Sequence, residues 1–379
     1  MGSCIVLFGD TRVVNQDCTT LGKVARRFPQ KIVNLFFLCS KVVLFCFSFF
    51  LFFSSFVRHF NMRFTSQKNT PCGHHPCCKV LTNIGVFGDD RALSDSLDLN
   101  RPVPANRVST CDAVEYDLDA LPQTTVVFVF CNEALSTLLR SIHSVLNRSP
   151  PQLLKEIVLI DDHSDLTRVP DLGAPLEEYI RLLPKKVRLY RQPARLGLVK
   201  ARLRGVTEAT AETFTVLDSH IETQKGWLEP LMQQIADSPH SVVMPMIDST
   251  DSATFSPKKG GIGCTLGFLW TLIEHSMPIQ KQEVDRRRSP IESIHSPTMA
   301  GGLFSARKDY FLHLGGYDEK WGFWGTENVE FSFRIWQCGG LLECMPCSRV
   351  YHVFRHGGSA YDTPTGHVAK NNGRPPRFA

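Results

Sequence analysis

The feature that most constrains this chain is a series of short, continuously apolar runs alternating with helix-like segments. "TTVVFVF" (124–130), "EIVLI" (156–160), "KVRLY" (186–190) and "TFTVL" (213–217) recur with apolar residues at helical spacing between them, and "SVVMPMI" (241–247) follows as a fifth. A strand without a polar face has to be covered on both sides, and crossover helices supply that cover. The prediction is an α/β fold, a mostly parallel central sheet flanked by helices with right-handed crossovers. Ligands of such sheets sit beyond the C-terminal strand ends. That edge carries "DDHSD" after the second run and "DSH" after the fourth. No Walker sequence is present. "GGIGCTLG" (260–267) comes too late, and without an acidic partner about 20 residues on, to be a dinucleotide loop.

Asp218 and His220 end the fourth run. In an extended strand end, residues i and i+2 point the same way, so the two reach one ion while Ser219 points elsewhere. A carboxylate oxygen with an imidazole suits Mn²⁺ or another divalent first-row metal better than thiolate-type zinc binding. The competing reading is a helix start capped by Asp218 or Ser219. A third ligand would favour the ion, and His352 in "SRVYHVFRH" lies inside an apolar run, whereas His356 falls outside it. Asp162, at the end of the second run, suits ring N–H or ribose hydroxyl recognition. Arg195 stands at a helix start, where the dipole disfavours a cation; it either meets a nucleotide phosphate or is solvated. In residues 301–340, paired glycines precede "WGTEN" and an amphipathic helix from Val329. Trp324 suits stacking on a sugar ring, and Glu327 and Asn328 suit its hydroxyls or N-acetyl group. Asn328 equally suits a helix cap, with Glu327 beside it favourable to the helix dipole.

Residues 32–57 carry one charge, Lys41, in 26 residues. That is long enough to cross a ~30 Å hydrocarbon layer with some tilt. Basic residues before it outnumber those just after it, predicting a cytosolic tail (1–31), a transmembrane signal-anchor (32–57) and a luminal remainder. Residues 58–108, poor in apolar periodicity and rich in Asp, Asn, Pro and Ser, read as a stem, leaving 109–379 as the main folded domain. The 13 cysteines suit an oxidising lumen. "PCGHHPCC" (71–78) reads as a stem disulfide or a metal tract, and "NRS" at Asn147 is a sequon followed by proline. The net charge of +5 is modest, and Arg286–Arg288 has no nucleic-acid signature around it, so nucleic acid is not an expected partner.

Taken together, "TTVVFVFCNEALSTLLRSIHSVLNRSP", "EIVLIDDHSD", "RLGLVKARLRG", "LDSHIE", "GGLFSARKDYF", "WGTENVEFSFRIWQCGG" and "CSRVYHVFR" resemble, in order, the UDP-GalNAc:polypeptide N-acetylgalactosaminyltransferases. The resemblance runs from about 94 to 372. It implies a nucleotide-sugar glycosyltransferase A-type fold, a Golgi membrane enzyme of single-pass type II topology, and transfer of GalNAc from UDP-GalNAc to Ser or Thr of protein acceptors. It implies Asp218, His220 and His352 as Mn²⁺ ligands, Asp162, Arg195 and Ser219 as nucleotide positions, and Arg355 near the diphosphate. Trp324, Glu327 and Asn328 match the sugar-site motif. Retention of anomeric configuration without a protein nucleophile is implied as well, in keeping with the lack of a glycosidase-type carboxylate pair. Cys111 and Cys347 match a family disulfide. Three departures accompany the match. Cys131 replaces a histidine of the motif "FHNE". Cys264 replaces a tryptophan that contacts acceptor. The family continues with a closing helix and a lectin domain that do not follow here, and Cys338 matches a half-cystine whose partner would lie beyond 379. The rival expectation is a truncated relative that binds UDP or a partner without transfer.

Overall fold

β1 (Thr124–Phe130) is buried along its whole length, and its side chains divide between two layers. Val126, Phe128 and Phe130 pack with Leu138, Ile142 and Val145 of α2 (Leu135–Arg148). Val127 and Val129 pack with Leu198 and Ala201 of α4 (Leu198–Glu208). Period-2 alternation with an apolar partner on each face is why the run is continuously apolar. In the computed structural model the described residues are 88–355 apart from 270, 271 and 273. All lie within the unit His74–Ala379.

The first half of the sheet follows expectation. β2 (Leu154–Asp161) and β4 (Thr213–Asp218) pair parallel with β1, and β3 (Val187–Arg191) pairs parallel with β2. α3 (Ala174–Leu182) and α4 are the crossovers on either side of β3. Beyond β4 the sheet is mixed. After β5 (Ile221–Thr223), α5 (Glu229–Asp237), β6 (Ser241–Asp251), β7 (Pro257–Ile262), β8 (Leu266–Phe268), β9 (Glu274–Ser276), α6 (Lys281–Arg286) and β10 (Ile294–His295) comes β11 (Phe304–Arg307). β11 is wedged antiparallel between β4 and β6. α7 (Lys308–His313), α8 (Glu327–Gln337) and β12 (Leu341–Phe354) complete the described chain, and β12 pairs parallel with β6. The order is β10-β12-β6-β11-β4-β1-β2-β3, with β5 on β12 and β7 on β6. The sheet is thus mostly parallel as expected, but mixed, because β11 and β10 run against the other strands of this order. β11 is only four residues long and leads directly into α7, too short for a crossover pattern to reveal its direction. β12 and β4 still end on the same edge, which brings their terminal side chains together.

The segment expected to be a stem is described only in part. Residues 58–87 lie outside the described residues, as do the predicted span 32–57 and the tract 71–78. Residues 88–108, by contrast, are docked on the domain. Asp90 caps α1 (Arg91–Ser96) and bridges to Ser252, Arg140 binds the carbonyl of Ser94 at 3.1 Å, and Arg101 is paired with Glu222. Asn106 donates to Asp248 at 3.1 Å and meets the Tyr351 hydroxyl at 2.6 Å. Directed polar bonds do this anchoring, so no apolar period marks it. Among the described residues no helix is long and apolar enough to cross a membrane.

Two disulfides hold β12. Cys111–Cys347 is the expected pair, and Cys264–Cys344 is a second one. Of the other described cysteines, Cys131 is buried and Cys338 is exposed. The first bridge closes a 236-residue separation. Replacing both Cys111 and Cys347 with serine is expected to cost about 2–4 kcal/mol in urea unfolding. A midpoint unchanged from that of the oxidised parent would contradict a constraining role.

Candidate active site

Asp218, at the last position of β4, and His352, near the end of β12, meet across the sheet edge. His352 Nε2 lies 3.3 Å from Asp218 Oδ2. His220, in the two-residue step between β4 and β5, stacks edge-on to His352 with ring centroids 4.6 Å apart. One ligand atom from each of the three lies within 4.8 Å of the others. No helix starts here: Ile221–Thr223 is a strand on β12. The capping alternative therefore has no helix to cap.

Close approach requires Gly302, because a Cβ there would come within 2.2 Å of Asp218 Oδ2. Its neighbour Gly301, at φ +78°, would bring a Cβ within 2.6 Å of the Asn328 Cβ. The paired glycines thus let one loop pass both Asp218 and α8.

The donor set fits a divalent cation. Burial opposes ionisation of Asp218, but the His352 hydrogen bond and the charges of Arg202, His352 and His220 outweigh it and hold the carboxyl well below its ordinary range. Burial pushes the His352 imidazole down, against the pull of Asp218. Both shifts favour the ligand forms, an anionic carboxylate and a neutral imidazole. His352 Nδ1 is buried and has no hydrogen-bond partner, an orphaned polar atom in the cluster.

The three residues line a cavity of about 370 Å³, within the range of small-molecule sites. Ser219, Trp324, Glu327 and Arg355 line it as well, as do Glu133, Arg202, Glu274 and Cys131. Trp324, 41% exposed, offers its indole at the wall. Glu327 opens α8 rather than preceding it. Thr326 holds the N-cap position at φ +66°, after Gly325 at φ +101°. Such left-handed backbone at a non-glycine residue is uncommon and recurs at functional loops. Glu327 Oε2 accepts from the Gly325 amide at 2.9 Å, and Oε1 lies 3.3 Å from Arg202 Nη1. Burial raises the Glu327 carboxyl, with Arg202 opposing.

Asn328 is neither a cap nor a wall residue. Its amide donates to the Met299 carbonyl at 2.8 Å and to Glu274 at 3.3 Å, one helical position inside α8. Asp162 and Arg195 do not line the cavity. The Asp162 carboxylate accepts from the Leu196 and Gly197 amides, both at 2.9 Å, so it holds the loop that carries Arg195. Arg195 lies over the Phe323 ring at 5.6 Å. Ser219 donates to Glu133 at 2.9 Å.

Two charged groups escaped the reading of the sequence. Arg202, on α4, is buried between Asp218 (3.5 Å) and Glu327 (3.3 Å) and joins the two halves of the site. Glu133 gathers Ser219, His220 and Arg355. Arg202 looked like one more arginine of an amphipathic helix. Glu133 sat in plain view inside the quoted "CNEA", directly after β1.

The resemblance drawn from motifs is matched by comparison. Residues 125–311 match the model of glycosyl transferase family 2, and residues 288–356 match the N-terminal domain of galactosyltransferase. Mouse polypeptide N-acetylgalactosaminyltransferase 4 is 50% identical over 269 residues, 69% of this chain and 45% of the relative. The chain belongs to the polypeptide N-acetylgalactosaminyltransferase family. Human polypeptide N-acetylgalactosaminyltransferase 13 is 45% identical over 299 residues, 78% of this chain and 52% of that protein. The crystal structure of GalNAc-T7 with UDP, GalNAc and Mn²⁺ superposes with a TM-score of 0.72 at 35% identity, covering 79% of this chain and 55% of the other. That likeness carries the glycosyltransferase A-type fold to this member of the family. The chain spans about half the length of the curated relatives it matches.

Proposed function

We propose that this chain transfers GalNAc from UDP-GalNAc to Ser or Thr hydroxyls of proteins, with retention, as a metal-dependent enzyme. Its proposed location is the Golgi membrane, anchored through 32–57 with the catalytic domain luminal. The observation that carries the activity is the Asp218, His220 and His352 cluster sharing one cavity with Trp324 and Glu327, in a chain so similar to named transferases.

Mn²⁺ held by those three residues would neutralise a diphosphate and stabilise charge on the leaving phosphate. Arg355, at the cavity wall, is suited to a diphosphate oxygen once released from Glu133. Asp162 and Arg195, on the neighbouring strand end and its loop, are the proposed nucleotide contacts. Trp324 supports the sugar face, and Glu327, fixed by Arg202 and the Gly325 amide, accepts from sugar hydroxyls rather than acting as a base. Asn328 contributes by holding Glu274, in the wall, to the buried Met299 carbonyl behind it.

The test is turnover by the full chain with a panel of UDP-sugars, a Ser/Thr-rich peptide and Mn²⁺, with chelator as control. Transfer from UDP-GalNAc that chelator abolishes is the expected result. UDP binding without transfer from any donor would replace this reading with that of a non-catalytic relative.

A further inference from the structure

Glu133 lies at the start of the loop after β1, with 3% of its surface exposed. All four of its contacts are donors. Oε2 receives Ser219 Oγ at 2.9 Å and His220 Nδ1 at 3.0 Å. Oε1 receives the Ala134 amide at 2.9 Å and Arg355 Nη2. Arg355 Nε in turn approaches Asp89 at 3.4 Å.

We infer that Glu133 is a positioning residue whose carboxylate fixes the tautomer of His220 and so prepares the metal cluster. The inference rests on the metal reading proposed above. A carboxylate only accepts, so the proton of a neutral His220 must sit on Nδ1, leaving the Nε2 lone pair for an ion. A carboxylate behind a ligating imidazole also raises its basicity. Arg355 makes this arrangement directional. Its guanidinium and the Ala134 amide can only donate, so whatever occupies position 133 must turn an acceptor towards them.

That asymmetry gives the test. In Glu133→Gln, the side-chain oxygen stays with Arg355 and Ala134, and the NH₂ group faces Ser219 and His220. His220 Nδ1 must then accept, the proton moves to Nε2, and Nε2 ceases to be a ligand. Shape and volume are nearly unchanged. Mn²⁺ alone is the probe, titrated into the full chain with free ion read by electron paramagnetic resonance. Glu133→Gln is expected to weaken Mn²⁺ binding by about 10–100-fold. Side-chain ¹⁵N spectra of the metal-free protein should show His220 as the Nδ1–H form in the parent and the Nε2–H form in the variant. In an Arg355→Met background only the Ala134 amide still asks for the glutamine oxygen, so the side chain can turn that oxygen to His220 for the loss of one hydrogen bond. There the same substitution should cost less than about threefold, a coupling that a merely structural role would not produce.

Parent-like Mn²⁺ affinity in Glu133→Gln, an unchanged tautomer, or a full loss that persists in the Arg355→Met background would each overturn the inference. A parent chain that binds no Mn²⁺ would overturn the metal reading instead, and the tautomer spectra would still decide whether Glu133 orients His220.

Discussion

Replacing His220 with alanine is expected to abolish Mn²⁺-dependent UDP binding while leaving the domain folded. The imidazole is one of three groups in the cluster, and two ligands bind a divalent first-row ion weakly. An affinity loss exceeding about 100-fold follows if UDP is held chiefly through the ion, because altering a group that merely supports a ligand already costs about 10–100-fold. The fold has little reason to respond. His220 sits in a two-residue step between strands, is partly exposed, and makes its side-chain bond to Glu133, which keeps Ser219, Ala134 and Arg355 as partners. The measurement is calorimetric titration of UDP with and without Mn²⁺, alongside a thermal melt. Unchanged Mn²⁺-dependent UDP affinity in a well-folded variant would leave the cluster without a metal role.

Much of this site was legible because strand ends are a strong signal. Continuous apolar runs closed by "DDHSD" and "DSH" pointed to the edge where the candidate site lies, and an apolar run around His352 supplied a neighbour from 132 residues further on in the chain. Placing His352 against Asp218 required β12 to lie parallel to β6 and end on the edge where β4 ends. Local pattern does not encode that pairing. The antiparallel β11 was invisible for the same reason, since four residues show no direction. Arg202 and Glu133 were hidden differently. An arginine on an amphipathic helix reads as solvated, and only the fold shows that its helix buries it between the carboxylates of Asp218 and Glu327. The docked segment 88–108 shows no apolar period because ion pairs and amide bonds, rather than periodic burial, fasten it.

The pair that most needs its partner lies behind the site, where Arg349 of β12 meets Asp248 of β6. The contact is bidentate, with Nη2–Oδ1 at 2.5 Å and Nε–Oδ2 at 2.9 Å, and Asp248 has no exposed surface. Arg349→Met is expected to cost about 3–5 kcal/mol at pH 7.5, because it strands a buried carboxylate. The pH dependence separates this cause from lost packing. In the parent, burial pushes the Asp248 carboxyl up, but Arg349, the Gly260 amide and Asn106 bring it below its ordinary value. Its contribution is therefore fully present above the unfolded value near ~3.9 and disappears as pH falls through the lower folded value. Without Arg349 the balance reverses. Burial then holds the folded carboxyl above the unfolded one, the native state binds more protons, and stability rises as pH falls. Urea unfolding under oxidising conditions should find the deficit of Arg349→Met smaller at pH 5 than at pH 7.5, whereas the parent loses this contribution only below about pH 4. Asp248→Asn added to Arg349→Met should recover most of the loss at pH 7.5, since the stranded charge is gone. An equal deficit at both pH values, unrelieved by the second substitution, would mean that the amides of Gly260, Asn106 and Gln224 suffice to keep Asp248 charged, and that Arg349 matters for packing alone.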